Sequence, residues 1–112
     1  MKLQEFYVNH FLRPQLEYLG TGFTFMRPWH VEIFGTPIEL GDYVNVVASS
    51  DRNVRLAVWA EQKDKGHIRV GNYCLICSGV RIGSAHEILI GNNCMIASNA
   101  YITDSDWHDI YN

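Results

Sequence analysis

The sequence predicts an all-β chain: a left-handed parallel β-helix built of hexapeptide coils, with an N-terminal helical cap. Three observations predict it. The run VGNYCLICSGVRI (70–82) lies over IGNNCMIASNAYI (90–102) with six of thirteen positions identical. Within each copy a β-branched aliphatic recurs at every sixth residue, at Val70, Ile76 and Ile82 and again at Ile90, Ile96 and Ile102. A small residue stands four places after each of the first two aliphatics of a copy, at Cys74, Val80, Cys94 and Ala100. Self-similarity at a fixed short period marks a solenoid, and a six-residue period marks a β-helix.

The elements follow in order. Residues 3–19 (LQEFYVNHFLRPQLEYL) have helical spacing, with Leu3, Phe6, Tyr7, Phe11, Leu16 and Leu19 near one face. Pro14 should kink or divide this helix, and Gly20 is a candidate stop. Such a helix either caps the open end of the solenoid, which needs covering, or makes an oligomer contact. Two regions are expected: a helix and lead-in segment over 1–30, and β-helix coils over 31–112 that are incomplete at the C-terminus. VEIF (31–34) would open the first coil. LGDYVNVVAS (40–49) echoes VGNYCLICSG (70–79), with Leu40 and Val46 in the aliphatic place. NVRLAVWA (53–60) is a further strand, and AEQKDKGH (60–67) is a charged loop projecting from a corner. The two clear copies are offset by 20 residues where three hexapeptides need 18, so a two-residue bulge is expected around His86–Leu89. The final stretch ITDSDWHDIYN (102–112) holds no closing helix, which predicts an N-terminal portion of a longer protein or a partner that covers the edge.

Bulk properties restrict the function. The chain has 112 residues, enough for one domain with its own core. The net charge is −3 and no basic run occurs, which argues against nucleic acid or an anionic membrane as main partner. No apolar stretch reaches the length of a transmembrane helix, and the N-terminus lacks the apolar centre of a signal peptide. The cytoplasm is therefore the expected location. The three cysteines fit a reducing compartment. Cys74 and Cys77 form a C-x-x-C pair, but no further ligands are spaced to complete a zinc site. Cys74 and Cys94 share one place in the repeat and should pack as small hydrophobes.

One cluster has the make-up of a catalytic site. Asp104, Asp106, Trp107, His108 and Asp109 follow the last aliphatic corner, Ile102. A histidine among carboxylates has its protonated form favoured, and one carboxylate can fix its tautomer. That is the arrangement of a general base with an orienting partner. The alternative is a solvated acidic corner in which aspartates cap turns. The segment 70–112, and more weakly the chain back to about residue 31, resembles the hexapeptide-repeat acyltransferases, which include maltose, galactoside, serine and other sugar O-acetyltransferases. The resemblance implies a left-handed β-helix, a homotrimer with sites between adjacent prisms, and acyl transfer from acetyl-CoA to a hydroxyl or amine of a small molecule or sugar. It places the base at His108, with Asp104 or Asp106 as orienters and Trp107, His86 and Asp109 near the acceptor. In the family, further coils hold most of the CoA contacts.

The remaining histidines stay open. His86 either lines the same cleft or lies on the surface. His67 ends the charged loop. His30, after Trp29, either reaches an acceptor pocket or sits in a packed aromatic corner, and His10 is structural. Two other functions compete: a non-catalytic trimeric scaffold, and a zinc enzyme like the γ-class carbonic anhydrases, with His67, His86 and His108 stacked one per coil.

Overall fold

The computed structural model describes residues 2–59 and 66–104. The chain opens with helix α1 (Lys2–Tyr7), a π-helical turn (Val8–Leu12) and a 3₁₀ turn (Arg13–Gln15). Strands then wind in successive coils. The first holds β1 (Tyr18–Leu19), β2 (Thr24–Met26) and β3 (Val31–Phe34). The second holds β4 (Ile38–Leu40), β5 (Asn45–Val47) and β6 (Val54–Val58). The third holds β7 (Ile68–Val70), β8 (Leu75–Ile76) and β9 (Arg81–Ser84), and the fourth β10 (Ile88–Ile90), β11 (Met95–Ile96) and β12 (Tyr101–Thr103). Each strand pairs in parallel with its counterpart one coil away, giving three four-stranded sheets: β1-β4-β7-β10, β2-β5-β8-β11 and β3-β6-β9-β12. This is a parallel β-helix with a helical cap.

The sixfold aliphatics supply its core. Val46, Ile76 and Ile96 share one register on the second sheet, and Leu56, Ile82 and Ile102 share one on the third. Val70 and Ile90 pair on the first. Ile76, Val70 and Ile82 are almost wholly buried. Stacked aliphatics of this kind stabilise the fold by about 25 cal/mol per Å² removed from water. Cys74 is buried and Cys94 packs against the core, both as free thiols, as their shared repeat place requires.

The corner between the first and second sheets repeats a four-residue turn: Gly20-Thr21-Gly22-Phe23, Gly41-Asp42-Tyr43-Val44, Gly71-Asn72-Tyr73-Cys74 and Gly91-Asn92-Asn93-Cys94. Its third residue is left-handed in every coil, with φ of 70° at Gly22, 57° at Tyr43, 60° at Tyr73 and 59° at Asn93. The second residue links the coils. Asp42 Oδ1 accepts from Thr21 N at 2.9 Å, Asn72 Oδ1 from Asp42 N at 2.8 Å, and Asn92 Oδ1 from Asn72 N at 2.7 Å. These bonds occupy amides that the turn would otherwise leave without a backbone partner. Glycine leads the turn because a Cβ on Gly71 would lie 2.4 Å from Asn92 Oδ1 and 2.8 Å from the Gly91 carbonyl carbon. The Tyr43 and Tyr73 rings stack 5.1 Å apart.

Four expectations change. The helical segment ends by Gln15, and Leu19 lies in β1, so Gly20 is a corner and not a helix stop. The buried face is Val8, Leu12 and Leu16, while Leu3, Phe6 and Phe11 are exposed. The π-helical turn widens the local repeat, which brings residues four apart onto the face over the first coil. Coiling starts at Tyr18, not near residue 31, because β1 and β2 already pair with β4 and β5. Finally, the two extra residues do not bulge. Ile88 and Ile90 both lie in β10, in register with Ile68 and Val70, so the first sheet carries two inward aliphatics on each of these levels. Residues 60–65 of the charged loop lie outside the described residues.

Candidate functional site

The corner between the third and first sheets gathers the polar side chains of the candidate site. On the third sheet Val58 pairs with Ser84, and the next coil brings Asp104 beside Ser84. One stacked place therefore changes from a buried valine to a buried serine to a carboxylate. Ser84 is fully buried, the sole buried polar side chain among the described residues. Its hydroxyl accepts from His67 N at 3.1 Å, and lies 3.1 Å from both the His67 carbonyl and Asp104 Oδ2, to one of which it donates.

Asp104 closes the loop between β9 and β10. Its Oδ1 accepts from Ala85 N at 2.6 Å, and its Oδ2 accepts from His86 N at 2.9 Å and from Glu87 N. Burial pushes the Asp104 carboxyl up. The amides of Ala85, His86 and Glu87 and the Ser84 hydroxyl outweigh that and hold it below the ordinary carboxylate range. The carboxylate is thus fixed in its charged form at the root of the DSDWHD segment. Of the residues expected to form the site, Asp104 and His86 are brought together, through the His86 amide; the imidazole of His86 is on an exposed loop. Asp106, Trp107, His108 and Asp109 lie outside the described residues.

A second group lies beside this corner. His67 Nε2 is 3.5 Å from Glu39 Oε2, and its Nδ1 is 4.0 Å from Glu87 Oε2. Arg69 Nε donates to Glu39 Oε1 at 3.1 Å. His67 Nε2 is buried and makes no hydrogen bond among the described residues. An open groove of about 560 Å³ runs past it, lined by Glu17, Thr36, Pro37, Glu39, Gly66 and His67. An imidazole between two carboxylates can accept or give a proton at a groove wall. Glu39, Glu87 and Ser84 were missed in the sequence. The available signal was a polar residue, Ser84, two places after Ile82, where a stacked aliphatic belongs.

The other histidines separate. Ile88 pairs with Ile68, so Glu87 and not His86 stands level with His67. His67 and His86 therefore do not stack as the zinc-enzyme reading requires. Among the described residues no group of three His, Cys, Asp or Glu side chains is placed to hold a metal ion. His10 stacks on Phe6 at 4.0 Å. Trp29, beside His30, meets Tyr7 edge-on at 5.8 Å, the packed aromatic corner. No helix among the described residues is long and apolar enough to cross a membrane.

No family model, curated protein or solved structure matches this chain.

Proposed function

We propose that the chain works as a CoA-dependent acyltransferase of the hexapeptide class, moving an acetyl or other acyl group to a hydroxyl or amine of a small molecule or sugar. The observation that carries this reading is the anchoring of Asp104. The first residue of DSDWHD is tied by hydrogen bonds to Ser84–Glu87 at the rim of a parallel β-helix. A motif rooted on a rigid coil suits a catalytic base, which must hold its geometry closely. In this reading His108 takes the proton of the acceptor O–H or N–H. The acceptor oxygen or nitrogen bonds to the thioester carbonyl carbon, the C–S bond breaks, and the CoA thiolate leaves and receives the proton. Asp106 orients the imidazole, and Asp104 sets the segment's starting point. Cys74 is buried, which supports direct transfer over a covalent acyl-enzyme. In this reading the active unit is a homotrimer, as in the acyltransferases that the sequence resembles.

The test is release of free CoA thiol from acetyl-CoA by the full chain, with a panel of sugar and amine acceptors. His108→Ala should lower the rate by about 10²–10⁴-fold with an unchanged circular dichroism spectrum. Absence of acceptor-dependent thiol release, together with no calorimetric binding of acetyl-CoA, would leave the scaffold reading in its place.

A further inference from the structure

The outer face of the third sheet holds a cationic pair that the fold itself does not use. Arg55 and Arg81 are directly opposite each other in the β6–β9 register, and both are exposed. Like charges directly opposite on neighbouring strands destabilise a sheet. On the first sheet the equivalent outward place avoids this: Glu39 stands opposite Arg69 and the two are paired. On the third sheet Glu32 stands opposite Arg55, yet its Oε2 accepts from Asn53 Nδ2 at 3.1 Å. Neither Arg55 nor Arg81 has an ion-pair partner among the described residues.

Beside the pair the outward places are small. Ala57 is in register with Gly83, so this strip of sheet offers almost no side chain. The Trp59 indole rests against it, with Cη2 3.1 Å from where a Gly83 Cβ would stand. Tyr101 bounds the other side. Together these residues enclose an open groove of about 380 Å³, within the size range of small-molecule sites.

We propose that this groove binds a phosphate monoester of a flat organic group. The charge calls for a dianion, since two guanidinium groups lie side by side. Strands about 4.8 Å apart let two forks reach one tetrahedral oxyanion, whose three free oxygens accept from both. A single carboxylate fills only one fork. The rings of Trp59 and Tyr101 then take the flat portion by stacking. The proposal stands independently of the acyl-transfer reading, because it uses none of the residues assigned to that chemistry.

The probe is 1-naphthyl phosphate, titrated into the full chain by calorimetry, with inorganic phosphate and 1-naphthol as its two halves. Saturable one-to-one binding is expected, at least about tenfold tighter than either half alone. Arg55→Gln and Arg81→Gln should each weaken it by about tenfold or more, while the thermal midpoint of each variant stays level or rises as the repulsion is relieved. Trp59→Leu should weaken the naphthyl ester but not inorganic phosphate. The proposal is overturned by absence of saturable binding up to about 10 mM probe, or by a smaller loss in both arginine variants while they remain folded.

Discussion

Replacing Asp104 tests the anchoring on which the site depends. Its carboxylate accepts from the amides of Ala85, His86 and Glu87 and lies within hydrogen-bond reach of the Ser84 hydroxyl. A hydrogen bond to a charged partner contributes about 1.5–3 kcal/mol when its loss leaves a group unsatisfied. The four bonds do not sum to four times that. His86 and Glu87 are on an exposed stretch and their amides can turn to water, and Ser84 keeps the His67 backbone. The half-buried Ala85 amide, at 2.6 Å, is the one most nearly orphaned. Asp104→Ala should therefore cost about 2–3 kcal/mol, equivalent to a fall of about 10 °C in Tm for a domain of this size. Asp104→Asn, which keeps an acceptor oxygen, should cost about 1 kcal/mol. The pH dependence has a definite sign. The folded carboxyl titrates below its unfolded value, so the unfolded chain binds more protons in acid. The contribution is complete above the unfolded value, near pH 4, and is lost as pH falls through the folded one. Asp104→Asn should flatten the stability profile in that window. Thermal unfolding followed by circular dichroism gives the midpoints, and amide exchange of residues 85–87 reports the loop. A fall of less than about 2 °C in Asp104→Ala, with exchange of those amides unchanged, would refute the reasoning.

Other perturbations separate core from surface in the same repeat. Gly71→Ala should cost about 1–3 kcal/mol, because the new Cβ meets the Gly91–Asn92 backbone and side chain. Gly91→Ala, at the same repeat place, meets nothing within 4 Å and should be close to neutral by thermal unfolding. Ile76→Ala opens the column at a fully buried point and should cost about 2–5 kcal/mol in urea unfolding. Met95→Ala, one coil on and 69% exposed, should change stability by less than about 0.5 kcal/mol.

The column was legible because one residue type repeated at one spacing. Val70, Ile76, Ile82, Ile90, Ile96 and Ile102 all stand in strands, as the sixfold period requires. The small places held as well, since Cys74 and Val80 are buried beside them. The helix face was not legible. A period of 3.6 selects Leu3, Phe6 and Phe11, whereas the π-helical turn selects Val8 and Leu12, and nothing in the local sequence announces that turn. The first coil was hidden because Phe23 and Phe25 occupy places held by smaller residues later. The site's partners were illegible for a different reason. Asp104 reaches residues 17 to 20 positions earlier. Those pairings exist only once the coil length is fixed, and the length depends on whether the extra residues bulge or extend a strand.

That dependence explains why the polar groups of the candidate site gather at one corner. Where the first sheet turns into the second, all four coils use the same turn, and the groups there serve to link coil to coil. Where the third sheet turns into the first, the corners differ: Gly35–Pro37 joins the first pair with Gly35 at a φ of 79°, residues 59–67 join the second, and residues 85–87 join the third with their amides on Asp104. A repeated corner is constrained by stacking, since any change must fit the coils above and below it. An unrepeated corner is free of that constraint and can carry side chains chosen for another task. The stacked place beside it also departs from the repeat, running Val58, Ser84, Asp104, and a buried serine weakens a column that valine would strengthen. The polar replacements are satisfied by the loop they hold and not by the core they interrupt. Positions that break a local rule mark functional sites more often than positions that obey it. On this reasoning Ser84→Val should leave the column intact while loosening Asp104 and its loop. Stability would then stay level or rise as the proposed acyl transfer falls, and a variant that loses both together would show Ser84 to be a core residue and nothing more.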